Sequence, residues 1–316
     1  LNSIDYLSDV SPTLVDIDSD GDLDLFIGQK FTTDSSPFNG RIKFFLNIGS
    51  SQNPIFNLYD EEFLGADLGT DLCPHFGDID MDGDVDLVIG TYSGNVKIFE
   101  NIGNKYDFEF SYHSTIETDS NFWFSVPGLH DIDSDGDLDL VLGNIYGDLR
   151  VYTQENSFSF SLDVNQIQDI SVGYYSAPYF IDIDLDDDND LILGGRDIHK
   201  VFLNNNNFFE ENNEIQISYS GKNVKFSGGN LFKSNEFNII SGISTGGLYF
   251  LSETLCDLGD LNKDQIINIS DILTLINIVF GLDTSNSYYM CSGDLDNNSG
   301  LNILDITNLV IKILDR

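Results

Sequence analysis

A repeated segment of about fifty residues constrains the fold of this chain more than any other sequence feature. Its first copy, Asp16 to Asp24, places an aspartate at every second position, reads Asp-Gly-Asp at its centre and is followed by Gly28. Copies begin at positions 16, 78, 131, 182 and 230, with spacings of 62, 53, 51 and 48 residues. Such a period indicates supersecondary units that bury a core only against their neighbours.

The residues after each copy alternate between apolar and polar side chains, as strands do. Examples are 41–47 and 95–101, and a further aromatic alternation at 106–110 and 158–162 predicts an outer strand. Each unit thus supplies about four short strands, and no helical periodicity occurs before about residue 270. Radial repetition of four-stranded sheets predicts an all-β propeller of about five blades in residues 1–254.

The ends of this region leave two possibilities open. The last unit has no outer strand after Leu248–Leu251, whereas Ser3–Leu7 reads as a strand without a unit. Pairing the two would close a five-bladed ring; alternatively, Leu1 cuts through a larger propeller. The fifth copy has lost its acidic residues, which are replaced by Asn230, Phe232, Ser234, Glu236 and Asn238.

The first four copies have the chemistry of calcium loops. Carboxylates at positions 1, 3, 5 and 9, with a carbonyl from position 7, surround one point with the hard oxygen donors that Ca²⁺ prefers. Glycine at position 6 permits the bend; in the fourth loop Asp187 replaces it, so we expect a strained or altered turn there. The predicted ligands are Asp16, Asp18, Asp20, Asp22 and Asp24; Asp78, Asp80, Asp82, Asp84 and Asp86; Asp131, Asp133, Asp135, Asp137 and Asp139; and Asp182, Asp184, Asp186, Asp188 and Asp190.

This motif, Asp-Ile-Asp-x-Asp-Gly-Asp-x-Asp-Leu followed by glycine, resembles the FG-GAP/VCBS repeats of integrin-α-type propellers. The resemblance covers roughly residues 10–250. It implies that each calcium loop braces the hairpin between the first two strands of a blade, on one rim of the disc.

Residues 255–316 have a different sequence pattern, with two loops whose oxygen-bearing residues follow the EF-hand spacing. They begin at Asp260 and Asp294, 34 residues apart, and each leads directly into an apolar helix, predicted at 272–280 and 306–314. Position 6 is not glycine in either loop, so we expect weaker binding there. The predicted ligands are Asp260, Asn262, Asp264, Ile266, Asn268 and Asp271, and Asp294, Asp296, Asn298, Gly300, Asn302 and Asp305.

The paired loops resemble a type I dockerin, which brings the predicted number of calcium sites to about six. The resemblance implies docking to a cohesin-like receptor through positions 10 and 11 of each loop, here Ile269, Ser270, Ile303 and Leu304. The first helix is apolar on nearly every face and needs a cover. Because only four residues separate the module from the last blade strand, its own propeller is a further candidate partner, as is a second copy.

The three cysteines suggest one disulfide. Cys256 and Cys291 lie four and three residues before the two loops, and this matched placement predicts a bond between them in an oxidising compartment. Cys73 is left over, and we interpret it as a buried small apolar residue.

Charge and composition exclude several function classes. With 53 Asp+Glu against 14 Lys+Arg, the formal net charge of -39 makes nucleic acid an unsuitable partner, while 24 Phe and 14 Tyr argue against disorder. No stretch reaches the roughly 20 apolar residues of a membrane-spanning helix. Together with Leu1, which no basic leader precedes, this leads us to expect a soluble, processed chain or fragment. With the oxidising compartment that the cysteine pair favours, we expect it to be secreted or at the cell surface.

Catalysis is not expected. Four histidines, His75, His113, His130 and His199, could act as bases, but none lies in a recognisable motif. We therefore predict a non-catalytic structural or adhesion protein. The alternative is a lectin-like carbohydrate-binding propeller, in which Phe122-Trp123-Phe124 forms either a sugar-stacking platform or a core strand; a polysaccharide-active enzyme is a third reading.

Overall fold

The computed structural model describes most of the chain, and all structural statements below concern the described part. It comprises residues 9–31, 39–51, 53–65, 67–163, 170–205, 208–213, 215, 217, 221–229, 236–254, 258–264, 266–282, 287–296, 298 and 300–314.

Five antiparallel sheets account for residues 10–254, one sheet for each repeat. Four sheets have four strands in chain order, and the fifth has three described strands. The first sheet holds β1 (Val10–Val15), β2 (Asp24–Gln29), β3 (Ile42–Asn47) and β4 (Phe56–Asp60); the second β5 (Cys73–Gly77), β6 (Asp86–Gly90), β7 (Val96–Asn101) and β8 (Phe110–Ile116); the third β9 (Val126–His130), β10 (Asp139–Gly143), β11 (Leu149–Asn156) and β12 (Ser159–Asp163); the fourth β13 (Ala177–Ile181), β14 (Asp190–Gly194), β15 (Lys200–Asn204) and β16 (Phe209–Asn212); the fifth β17 (Lys225–Gly229), β18 (Glu236–Gly242) and β19 (Leu248–Thr254).

These sheets are the blades of a propeller, with the first strand of each blade at the axis and the last strand at the outer edge. The second strands are buried on both faces, as their unbroken apolar runs require: Leu87, Val88 and Ile89 of β6 are fully inaccessible. The outer strands alternate between half-buried and exposed residues. The prediction of four short strands per repeat is confirmed for the first four blades.

One predicted outer strand is displaced. The second blade's outer strand was expected at 106–110, but β8 begins at Phe110. Asn104 and Asp107 exchange two backbone hydrogen bonds of 3.2 and 3.0 Å, and the Asn104 side chain accepts the N–H of Tyr106. This local turn uses the backbone N–H groups that a strand would need for pairing. The aromatic alternation therefore predicts a strand that begins several residues too early.

The hydrophobic core is divided into layers between consecutive blades. Phe26 and Phe44 of the first blade stack with centroids 4.4 Å apart and pack with Phe76 and Leu87 of the second. Equivalent layers join the second blade to the third, the third to the fourth and the fourth to the fifth. A further layer contains Ile240 of β18 beside Val10 and Leu25, so the fifth blade packs against the first.

Ring closure is also visible in the backbone. The N–H groups of Asp9 and Val10 donate to the carbonyls of Ser244 and Ile243 at 3.0 and 3.4 Å. The ring is therefore a five-bladed propeller. The strand predicted at 3–7, which was to complete the fifth blade, lies outside the described residues.

A glycine is the last or next-to-last residue of the second strand in every blade and closely approaches the backbone of the next blade. A Cβ placed on any of these glycines would lie only 2.1 to 2.3 Å from a carbonyl oxygen, far inside van der Waals contact. The pairs are Gly28 with Leu72, Gly90 with Ser125, Gly143 with Ser176, Gly194 with Val224 and Gly242 with Val10. The repeated glycine thus serves blade packing, where any side chain would separate the sheets.

Three helices follow the propeller: α1 (Ile269–Val279), α2 (Ser287–Gly293) and α3 (Ile303–Leu314). Asn268 caps α1 in a capping box with Asp271, so α1 begins three residues before the predicted start; α3 likewise begins at Ile303 instead of 306. The sequence did not predict α2. A small core around Leu261, Leu275, Ile278 and Leu309 holds α1 and α3 together.

Cys291 is disulfide-bonded, and Cys73 is free and buried. The predicted partner of Cys291, Cys256, lies outside the described residues, so the pairing stays a prediction. Among the described residues, no helix is long and apolar enough to cross a bilayer.

Candidate metal centres

The four aspartate loops connect the first and second strands of the first four blades. Each folds around the carboxylate of its first aspartate. In the second loop, Asp78 Oδ1 accepts the N–H of Asp82 and Oδ2 accepts the N–H of Gly83, both at 3.1 Å. The same pair of bonds forms at Asp16, Asp131 and Asp182. The loops' own backbone donors therefore orient the carboxylates.

The ninth residue of each loop begins the second strand and is almost fully buried. Asp86 Oδ2 accepts the N–H of Ile79 within the loop at 3.0 Å, and its Oδ1 accepts the N–H of Asn101 at 2.9 Å. Asp24, Asp139 and Asp190 repeat both bonds. One carboxylate thus ties each loop to the third strand of its blade, a role that its place in the spacing does not reveal.

The geometry fits a hard divalent cation. In each loop three carboxylates place oxygens within 4.8 Å of one another: positions 1, 3 and 5 in the first loop, and positions 1, 3 and 9 in the other three. Oxygens of Asp18 and Asp184 are buried and accept no hydrogen bond. Buried acceptors without a donor are costly unless a cation completes them.

The seventh residues, predicted to donate only their carbonyls, each also bury one oxygen of the side-chain carboxylate. Asp22 and Asp84 are 8% exposed, and these two together with Asp137 and Asp188 each hold a carboxylate oxygen without a hydrogen-bond donor. Sequence spacing missed this burial, because it depends on how the loop folds back over the third strand.

Burial and mutual repulsion disfavour the ionised form of these acids. Burial raises the pKa of Asp24, Asp86 and Asp190 to about 7. Burial, followed by repulsion from the neighbouring aspartates, raises the pKa of Asp137 and Asp188 to about 6. A bound cation would remove this penalty by neutralising the carboxylates.

The fourth loop keeps the turn of the others despite lacking glycine. Asp187 has φ +74, close to the +98 of Gly83, and its N–H donates to Asp182 Oδ2 at 3.1 Å. The turn is thus retained, with strain at Asp187, a residue type that tolerates this conformation better than most. Of the eroded fifth copy, residues 230–235 lie outside the described part of the chain, and Asn238 is buried in β18.

The two C-terminal loops are built alike. Asp271 Oδ1 accepts the N–H groups of Leu261 and Asn262, and its Oδ2 accepts that of Asn268. Asp305 makes the same three bonds in the second loop. Asp294, Asp296 and Asp305 bring oxygens within 4.8 Å of one another, whereas the described acids of the first loop form no such cluster. Position 6 of both loops lies outside the described residues.

The predicted docking residues of the module face solvent. Ile269, Ile303 and Leu304 are 68%, 65% and 57% exposed, and Ser270 is exposed beside them. Ile266, Leu273 and Phe280 are exposed as well. We call these seven residues the apolar patch. In the described part of the chain the propeller leaves these side chains exposed.

Of the four histidines, His75 and His130 are packed within the propeller, whereas His113 is exposed. His75 lines a narrow polar cavity on the propeller axis with Cys73 and Lys225, and burial lowers its pKa to about 4. His130 stacks on Phe180 with centroids 4.6 Å apart, and its Nε2 is buried without a hydrogen bond.

The rim opposite the aspartate loops carries exposed aromatic side chains. In the Phe122-Trp123-Phe124 segment the two phenylalanines are buried core residues, whereas Trp123 is 42% exposed. Its ring lies 5.8 Å from that of Tyr92, itself 45% exposed, at the junction of the second and third blades. Tyr92 follows β6 and Trp123 precedes β9, so the sequence alone did not pair them.

Comparison with known proteins supports the repeat. Residues 131–193 match the FG-GAP-like repeat family model. No curated protein matches the chain in sequence. Among solved structures, an Agrocybe aegerita lectin described as recognising non-reducing terminal N-acetylglucosamine aligns over 74% of this chain and 61% of its own, with 16% identity and a TM-score of 0.41.

The Photorhabdus luminescens Tc holotoxin pore aligns over 80% of this chain and 12% of its own, with 16% identity and a TM-score of 0.38. The chain therefore spans less than two thirds of either structure's chain.

Proposed function

We propose that this chain is a non-catalytic, calcium-binding extracellular protein, in which a propeller presents a recognition face and a dockerin-like module serves assembly or anchoring. The observation that carries the proposal is the set of preorganised aspartate loops with buried, unpartnered carboxylate oxygens. Calcium in these loops would offset part of the -39 charge. Extracellular calcium and an oxidising compartment suit both the loops and the disulfide at Cys291.

The absence of catalysis is part of the proposal. Many of the acidic residues are engaged in the loops. Burial lowers the pKa of the axial His75 to about 4, so this histidine is a poor base near neutral pH. Propeller architecture also hosts recognition surfaces readily, because loops from every blade meet on one rim.

The apolar patch supports the assembly role, since exposed apolar surface of this kind often marks interfaces. We infer a protein partner, either a cohesin-like receptor or a second copy. Changing Ile303 and Leu304 together to Asp should abolish association, as measured by light scattering at increasing concentration and by binding to a panel of cohesin modules.

The matched control changes Ile48 and Ile102 to Asp; these isoleucines are similarly exposed but lie on the propeller. Equal association of both double variants and the unaltered chain would exclude the patch as an interface.

A second candidate function is carbohydrate recognition, and the Tyr92–Trp123 pair favours it. Two exposed aromatic rings at a blade junction can stack on the apolar face of a sugar. A glycan array should then show binding that Trp123→Ala abolishes and Tyr106→Ala, an exposed tyrosine on the aspartate-loop rim, leaves intact. Identical array signals from all three proteins, or none from any, would exclude this candidate.

A further inference from the structure

Tyr288, in the short helix α2, joins the C-terminal module to the fourth aspartate loop of the propeller. Its backbone N–H donates to the carbonyl of Leu185 at 3.3 Å. Within the described part of the chain, this is the one backbone hydrogen bond between the module and the propeller. Leu185 lies between the predicted ligands Asp184 and Asp186, so Tyr288 bonds directly to the fourth aspartate loop.

The same tyrosine also holds the first loop of the module. Its hydroxyl donates to the carbonyl of Asp260 at 2.8 Å, and Asp260 is the first predicted ligand of that loop. The ring is 7% exposed and lies under Lys263, whose ammonium is 4.3 Å from the ring centroid. A rigid, buried aromatic residue thus spans two candidate calcium loops from different modules.

We propose that Tyr288 couples the two loops, so that calcium in the first loop of the module strengthens calcium binding in the fourth loop of the propeller, and the reverse. This inference rests on the calcium binding proposed above. It assigns the module a partner surface on its own propeller that is separate from the apolar patch.

The physical basis is the fixed geometry at both ends of Tyr288. Leu185 is held at φ +62, a costly conformation for leucine, and its carbonyl direction depends on how Asp184 and Asp186 are arranged. A cation that fixes these carboxylates also fixes the acceptor of the Tyr288 N–H. A cation in the module loop likewise fixes the acceptor of the hydroxyl, so each site is prepared by occupation of the other.

One charge opposes the coupling. Burial and the neighbouring Asp186 raise the pKa of Asp184, whereas Lys263 lowers it, so the Lys263 ammonium acts on this carboxylate. Calcium in the fourth loop would weaken that attraction. Because Lys263 is exposed, solvent screens its attraction to Asp184, and the buried contacts of Tyr288 determine the sign of the coupling.

Hydrogen–deuterium exchange of the full-length chain, titrated with CaCl₂, can read the fourth loop separately through peptides covering residues 183–189. The measured quantity is the calcium concentration that gives half-maximal protection. Asp260→Ala should raise it at least about fivefold, the lower end of usual coupling. Asp294→Ala, in the second module loop, should leave it unchanged.

The isosteric Tyr288→Phe removes the hydroxyl that donates to the carbonyl of Asp260 and keeps the buried ring. In that background Asp260→Ala should no longer shift the fourth loop, whereas in a Lys263→Met background the shift should persist. The coupling is overturned if Asp260→Ala and Asp294→Ala act equally, if neither acts, or if Lys263→Met abolishes the shift. Absence of any calcium protection in the unaltered chain would overturn the metal site itself, and the coupling with it.

Discussion

Asp86 Oδ1 accepts the backbone N–H of Asn101 across fifteen residues of sequence, and its other oxygen accepts the N–H of Ile79. The carboxylate therefore has a structural role before any metal binds. Asp80, in the same loop, lies in the acidic cluster and accepts the N–H of Asp82 within the loop at 3.2 Å. The two positions can consequently be separated by experiment.

We expect Asp86→Ala to destabilise the propeller by roughly 2–4 kcal/mol even in EGTA, because two buried N–H groups lose their acceptor. Asp80→Ala should be neutral or slightly stabilising in EGTA, since it relieves repulsion, and destabilising only in CaCl₂. Chemical denaturation of both variants with and without calcium measures the difference. Equal losses for both variants in EGTA would contradict this division of roles.

Chelation should lower the melting temperature of the unaltered chain. Four propeller loops at ten times their dissociation constants each contribute about 1.4 kcal/mol, and a change of about 5–6 kcal/mol corresponds to roughly 10–20 °C for a domain of this size. Differential scanning calorimetry provides the test, with one sample saturated by about 5 mM CaCl₂ and one made metal-free by excess EGTA. A melt unchanged by EGTA would refute a calcium-dependent fold.

The metal-free chain should lose stability as pH rises through 7. The pKa values of Asp24, Asp86 and Asp190 are raised to about 7 in the folded state from 3.8, so the folded state holds these protons more tightly than the unfolded state. Their contribution to stability is fully present below the unfolded pKa and is lost as pH increases through the folded pKa.

Thermal melts in EDTA at about pH 6.5 and about pH 8 should show this loss; His75, with its pKa lowered to about 4, no longer titrates in this window. In CaCl₂ the difference should shrink, because the bound metal already holds the carboxylates ionised. A higher melting temperature at the upper pH in EDTA would contradict the assignment.

A disulfide between Cys256 and Cys291 should stabilise the C-terminal module. Closing a loop of about 35 residues contributes roughly 3–4 kcal/mol when the geometry is relaxed. Cys291→Ala should therefore make the module, but not the propeller, sensitive to proteolysis, whereas Cys73→Ala keeps the bond and serves as the control. Peptide mapping without reductant that finds Cys256 and Cys291 as free thiols would refute the pairing.

The sequence predicted the parts of the structure that follow from local periodicity. Repeats of aspartate and glycine predicted the blades and the four candidate metal loops, since position in the repeat decides both the strand order and the place of each carboxylate. The apolar runs also predicted the helices that became α1 and α3, although their capping residues moved both starts toward the N-terminus.

Local sequence patterns could not predict contacts between residues that are distant in the sequence. The bond from Asp86 to Asn101, the pairing of Tyr92 with Trp123 and the bond of Tyr288 to Leu185 join residues whose own sequence neighbourhoods carry no sign of one another. Helix α2 was missed because Ser287–Gly293 is short and depends on its surroundings more than on propensity.

The glycine at the end region of each second strand has a consequence for which residues of a blade can be substituted without loss of the fold. Neighbouring blades pack against one another through main-chain atoms, which every amino acid shares, at Gly28, Gly90, Gly143, Gly194 and Gly242. Substitutions elsewhere in a blade leave that joint untouched, so mutational drift can erase a loop's chemistry without dismantling the ring. The fifth blade is an example: its copy of the loop lacks the aspartates of the other four, yet Gly242 still approaches the carbonyl of Val10.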